Sequence, residues 1–213
     1  MSELERIRDE VTSRLADVDG GTAIAFAAIT AERLMRLDPR QRPFTQSLRP
    51  LLDLIWRAAA GDPAAFKPIA VALGQFYISE FWHNDGSAGP DDADDDPAAA
   101  VLYAAECYMH GLPQFAILVA NRGLEAADDR VQRATGYASY DYVNSEAAMT
   151  EEARRQVVTL DALTPFAQQL SRARMGLPAV ESEHLKAQLQ QLVTATELSP
   201  PSVEVLSNQA PLW

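Results

Sequence analysis

The chain is a train of short amphipathic segments broken by one acidic stretch, and this pattern restricts it to helical folds. From Leu48 to Ile55 the apolar residues fall at 48, 51, 52 and 55, the spacing of one helix face. A second stripe runs through 69, 73 and 76 and continues in phase to Glu80 and His83. Between His83 and Pro97 the pattern gives way to Asn84-Asp85-Gly86-Ser87-Ala88-Gly89-Pro90 and then to Asp91, Asp92, Asp94, Asp95 and Asp96. After that it resumes. No segment alternates apolar and polar residues over a useful length, and β-branched clusters and fixed-period repeats are absent. The expectation is an all-α bundle of about eight helices. It covers residues 1–198, with the acidic stretch as a solvated loop and 199–213 as a non-regular tail.

Punctuation residues set the expected boundaries. The first helix runs from Glu3 to Val18 with Leu4, Ile7, Val11, Leu15 and Val18 inward, and Asp19-Gly20-Gly21 ends it. Thr22 is then a cap for an alanine-rich helix from Ala23 to Leu37. A third helix, Thr45 to Ala60, is apolar nearly all round and reads as the centre of the bundle. Gly61-Asp62-Pro63 is a stop followed by a start, and the next helix ends near Trp82. The same Asp-Pro device at Asp96-Pro97 opens a helix closed by Gly111, and Pro113 begins another. Residues 129–144 are compatible with helix or loop. Thr150-Glu151-Glu152 reads as a helix start, and Thr164-Pro165 as a kink or restart. Leu185, Leu189 and Leu192 mark the last helix, and Ser199-Pro200-Pro201 ends regular structure.

Composition narrows the function classes. A chain of 213 residues, 47% hydrophobic and 23% charged, can bury a sizeable core. No apolar run approaches the roughly 20 residues of a membrane span. The N-terminus, Met1-Ser2-Glu3-Leu4-Glu5-Arg6, has no apolar signal core behind it. The single cysteine, Cys107, excludes an intramolecular disulfide framework and a structural zinc site built from several thiolates. These features point to a soluble protein of the bacterial cytoplasm. The net charge of −12, from 18 basic and 30 acidic residues, argues against direct binding to a nucleic-acid backbone. It suits attraction to a basic protein.

Few residues could carry chemistry. The three histidines are His83, His110 and His184, and two of them follow a glutamate by three residues, as Glu80/His83 and Glu181/His184. Positions three apart share a helix face, so each pair could offer a carboxylate and an imidazole to one metal. Two such motifs, with Glu32 and Glu106 or Glu125, would have the composition of a ferritin-like di-iron site. Against this, His83 precedes Asn84-Asp85-Gly86 at a helix end, and Glu181 and His184 sit in a first turn after Pro178, where the helix dipole alone accounts for an acid. Cys107 and His110 suggest a nucleophile and base, but they lie near a helix C-terminus, where a thiolate is disfavoured. The aspartate run lacks the spaced ligands and terminal glutamate of a calcium loop. No phosphate loop or nucleophile elbow occurs. The reading assigns no catalytic residue, no cofactor and no metal.

Phe26-Ala27-Ala28-Ile29-Thr30-Ala31-Glu32-Arg33-Leu34, followed by Arg49-Pro50-Leu51-Leu52-Asp53-Leu54-Ile55-Trp56, resembles the bacterial family called domain of unknown function 416. In that family an early helix carries a Glu-Arg pair, and a following helix carries a Leu-Asp-Leu-x-Trp-like segment. After a variable acidic loop comes a helix with tyrosine and alanines, here Asp96 to Tyr108. The resemblance covers about the first 110 residues. It implies an all-helical fold and similarity to proteins proposed as immunity partners of bacterial toxins. Glu32 and Arg33 match the pattern, and a buried salt bridge that orients helices is the reading weighed for them. The turn after Leu37, rebuilt with Pro39 and Pro43, departs from it.

The expected function is therefore a non-enzymatic helical factor, immunity- or antitoxin-like, that engages a basic partner protein. The expected contact surface is Asp91, Asp92, Asp94, Asp95, Asp96, Glu125, Asp128 and Asp129. The alternative is a metal-dependent enzyme of the di-iron type using Glu80, His83, Glu181 and His184.

Overall fold

Ser2 opens the first helix, α1 (Glu3–Asp17), with a reciprocal cap: its hydroxyl accepts from the Glu5 N–H, and the Glu5 carboxylate accepts from the Ser2 N–H. Ile7, Val11 and Leu15 are buried, with Leu4 and Val18 half-buried at the edges of the stripe. The helix ends at Val18 in extended backbone, and the expected glycine stop is corrected. Asp19 is the cap of the next helix, α2 (Gly20–Leu37): its Oδ1 accepts from the N–H groups of Gly21 at 2.8 Å and Thr22 at 3.2 Å. Thr22 lies inside the helix and donates its hydroxyl to Asp19. A carboxylate satisfies two orphan amides where a hydroxyl satisfies one, so Asp19 outcompetes Thr22 for this position. Gly21 serves packing, since a Cβ there would stand 2.1 Å from the Leu170 carbonyl oxygen.

The structure is a computed structural model, and it describes residues 1–38, 43–78, 96–136 and 141–197. The further helices are α3 (Pro43–Ser47), α4 (Arg49–Ala59), α5 (Phe66–Tyr77), α6 (Asp96–His110), α7 (Pro113–Ala134), α8 (Tyr142–Leu163), α9 (Ala167–Ala173) and α10 (Ala179–Glu197). The fold is all-α, with no strand among the described residues, and no helix among them is long and apolar enough to cross a membrane. The end of the stripe at Glu80 and His83, the acidic residues 91–95 and the tail from 199 lie outside the described residues.

The centre of the bundle is α2, not the helix around Leu51–Trp56. Every residue from Gly21 to Met35 is buried, and α2 touches α4, α6, α7, α8, α9 and α10. Ala23, Ala25, Ala27, Ala28 and Ala31 let these neighbours approach closely on all sides. The expected third helix is two helices split at Leu48, and α4 is amphipathic: Leu52, Ile55 and Trp56 are buried while Asp53 is exposed. Asp62 accepts from the Ala64 N–H, Pro63 starts a 3-10 turn, and α5 follows. Gly111, at φ 66°, closes α6 as expected. α8 begins at Tyr142, capped by Asp141, so Thr150-Glu151-Glu152 is mid-helix and not a start. There Thr150 donates its hydroxyl to the Glu146 carbonyl, and Glu152 turns inward. A buried counter-charge, not the helix dipole, accounts for that glutamate.

Candidate functional site

The Glu32-Arg33 pair faces two ways. Glu32 Oε1 accepts from Arg36 Nε and Arg49 Nη1, both at 2.8 Å, and Oε2 accepts from Trp56 Nε1 at 3.2 Å. Burial works against the Glu32 charge, but the bonds from Arg36, Arg49 and Trp56 together outweigh it and hold the carboxyl below its usual range. Arg33 points the other way. Its Nη2 donates to Glu152 Oε1, and Nη1 lies 3.5 Å from Thr159 Oγ1. Gln156 Nε2 donates to the Ala120 carbonyl at 2.9 Å and lies 3.4 Å from Glu152 Oε1. Gly123 makes room for this bridge, because a Cβ there would meet Gln156 Nε2 at 2.8 Å. The two neighbouring residues thus tie α2 to α4 on one side and to α8 on the other. The arrangement is a structural clamp, with the Arg33–Glu152 half sealed from solvent and the Glu32 half reaching the surface through Arg36 and Arg49.

Of the residues in the alternative metal-site reading, Glu80 and His83 lie outside the described residues, and Glu181 and His184 are accounted for locally. Glu181 pairs with Arg172 at 3.1 Å, and His184 is exposed. Glu32 belongs to the clamp, and Glu125 pairs with Arg122 at 2.7 Å. Among the described residues no group of three His, Cys, Asp or Glu is placed to hold a metal ion. Cys107 is buried, which pushes its thiol up to about 12. His110 engages Glu106, not Cys107: its Nε2 is 2.9 Å from Glu106 Oε2. The imidazole also stacks on Phe115, at 5.5 Å between ring centres.

This Glu106–His110 pair lines an open groove of about 470 Å3. α5 contributes Leu73, Gly74 and Tyr77, α6 contributes Glu106 and Met109, and the start of α7 contributes Phe115. Burial raises the Glu106 carboxyl above its usual range, opposed by the His110 charge and hydrogen bond. A Cβ at Gly74 would meet nothing within 4 Å, so the groove is open over that residue. A second depression of about 460 Å3 lies beside Gly61, Phe66, Tyr108 and Arg174. There Arg174 donates to the Tyr108 carbonyl at 2.9 Å and covers the Tyr108 ring, so its charge serves to cap the C-terminal end of α6.

Among the expected partner-binding acids, Asp96 needs correction as a surface residue. It is the first residue of α6 and only 1% exposed, with Oδ1 3.4 Å from Arg122 Nη1 and Oδ2 accepting no hydrogen bond. Burial, reinforced by the Glu125 charge, pushes its carboxyl up to about 7 against the pull of Arg122. Glu125 is exposed beside Arg122, Asp128 accepts from Gln132 at 3.2 Å and from Ser145, and Asp129 pairs with Arg133. Much of the α7 acidity is therefore matched within the fold. The α5–α6 groove is not evident from the core stripe of α5 alone. Its signal was a second stripe on α5, Phe66, Ala70, Gly74 and Tyr77, beside the core stripe Ile69, Leu73 and Phe76. Comparison with known proteins finds no family model, no curated protein and no solved structure that matches this chain.

Proposed function

We propose that the protein is a non-enzymatic helical factor of the bacterial cytoplasm that binds a basic partner protein, in the manner of an immunity or antitoxin protein. The observation that carries this reading is the apolar surface of α5 and its end. Phe66 is 52% exposed, Val71 50% and Ile78 82%. Val71 and Ile78, seven residues apart, fall on one side of α5 and its end, and large apolar side chains exposed together on one face mark surfaces that another macromolecule covers. The charge selects the partner. Arg14, Arg122, Arg154 and Arg172 are already matched to Asp161, Glu125, Glu3 and Glu181, and the remaining acid excess sets the sign of the long-range field. The resemblance of the first 110 residues to domain of unknown function 416 supports the same reading.

The test uses the wild-type chain and a Val71→Asp/Ile78→Asp variant as baits in extract from the source cells, followed by titration of the purified captured protein. A partner of net positive charge is expected. Its Kd should rise about tenfold or more in the variant, where two exposed apolar contacts become charges. It should also weaken steeply between about 50 and about 300 mM salt, as screening predicts. An acidic partner, or equal affinity for both baits, would overturn the reading.

A further inference from the structure

We propose that the groove between α5, the C-terminal turn of α6 and the first turn of α7 holds a cationic side chain, arginine or lysine, presented by an apolar-flanked segment of the basic partner. This assignment rests on the binding function proposed above and adds the site and the group recognised. Two features of the groove select a cation. His110 occupies only Oε2 of Glu106, and Oε1 accepts no hydrogen bond from a described residue although the side chain lines the cavity. The groove also lies at the C-terminal end of α6 (Asp96–His110), where the carbonyl ends of the helix carry partial negative charge.

The rest of the lining defines what flanks that charge. Leu73, Met109 and the open backbone at Gly74 offer an apolar trough that accommodates the methylene stem of a long basic side chain and its apolar neighbours. Among the described residues no lysine or arginine lines the groove, and His110, the basic residue that does, is already engaged with Glu106. An anionic or purely apolar ligand would leave Glu106 Oε1 desolvated without a partner, which disfavours both.

The test is a titration of the 15N-labelled full chain at pH 8. The probes are two amidated Ala/Leu helical peptides that differ only at a central Arg or Gln. The Arg peptide is expected to shift amides of α5, the last turn of α6 and the first turn of α7, and to bind about tenfold or more tighter than the Gln peptide. Glu106→Gln, which keeps shape and an acceptor for His110, should erase that difference. Gly74→Leu should abolish binding of both peptides by filling the trough. Its own unfolding temperature, unchanged or raised, shows that the fold is intact. Equal binding of the two peptides, or wild-type binding by Gly74→Leu, overturns the proposal. Shifts confined to the Glu125–Asp129 face of α7 overturn the groove and leave the basic-partner reading standing. No shift with either peptide also overturns the groove, and the capture experiment decides the wider reading independently.

Discussion

α2 carries a glutamate and an arginine side by side and is buried from Gly21 to Met35, whereas α5 has a single charged residue, Lys67, and leaves Phe66, Val71 and Tyr77 substantially exposed. The difference lies in the neighbours each helix has. α2 is surrounded, and two of its neighbours deliver groups that engage its charges: Arg49 and Trp56 from α4 for Glu32, and Glu152 from α8 for Arg33. Among the described elements α5 packs chiefly on α4, α6 and the 3-10 turn before it, so three apolar positions, Ile69, Leu73 and Phe76, suffice to dock it and the others remain outside. Burial here follows the supply of partners rather than the polarity of the helix. An apolar helix with spare faces is therefore the place to look for what binds, and a charged helix without spare faces is the place to look for what holds.

The largest effect should come from breaking the clamp. Arg33→Met leaves the Glu152 carboxylate buried without its principal partner and is expected to cost about 3–5 kcal/mol in urea unfolding. Adding Glu152→Leu removes the stranded carboxylate but also the counter-charge that supports the buried Arg130, so the double variant should recover only part of that loss. Satisfaction of charge is what permits a charged α2 at the centre, and a single-variant cost under about 1 kcal/mol would refute that.

Asp96 sharpens the comparison, because it is a buried charge whose partner is shared. Arg122 stands 3.4 Å from it but 2.7 Å from Glu125, and Asp96 Oδ2 bonds to nothing. Its carboxyl, near 3.8 when unfolded, is raised to about 7 in the fold, so the folded state holds this proton more tightly. The resulting stability is complete below about pH 4 and is lost as pH rises to about 7, above which the ionised carboxylate is a constant penalty. The span of about three units sets a ceiling of about 4 kcal/mol. Asp96→Asn should therefore stabilise the protein at pH 8 by a few kcal/mol at most and leave it unchanged near pH 3. Denaturation series at both pH values check this, and equal effects at the two would remove Asp96 as the titrating group.

The sequence carried the helices well where a stripe or a stop was local. The face of α1, the Asp62-Pro63 start, the Gly111 stop and the last helix through Leu185 and Leu189 follow from spacing and backbone chemistry alone. What it did not carry depends on contacts distant along the chain. Thr150-Glu151-Glu152 has the composition of a helix start, and only Arg33, more than a hundred residues earlier, explains why Glu152 lies mid-helix and inside. Asp19-Gly20-Gly21 has the composition of a stop, and only the Leu170 carbonyl explains Gly21. The site was harder still. His110 was paired by spacing with Cys107 three residues away, while the structure pairs it with Glu106 four away, on the side of the helix that faces α5. The groove itself needed the second stripe of α5 to be recognised as more apolar surface than docking requires.

The smallest expected effects come from two helical glycines that differ only in surroundings. At Gly21 in α2 a Cβ would fall 2.1 Å from a backbone oxygen of Leu170, an atom that cannot swing aside as a side chain would. Gly21→Ala must therefore separate α2 from α9, at a cost of about 1–3 kcal/mol that outweighs alanine's better helix propensity. At Gly74 in α5 nothing lies within 4 Å, so Gly74→Ala keeps the propensity gain of about 0.5–1 kcal/mol with nothing to displace. For a chain of this size the melting temperature should fall by a few degrees in the first variant and rise by about 1–4 °C in the second. Opposite signs for the same substitution are the signature of one helix enclosed by its neighbours and one with a vacant face. A fall in both variants would mean that the surface above Gly74 is already filled in solution, and the vacancy assigned to α5 would be lost with it.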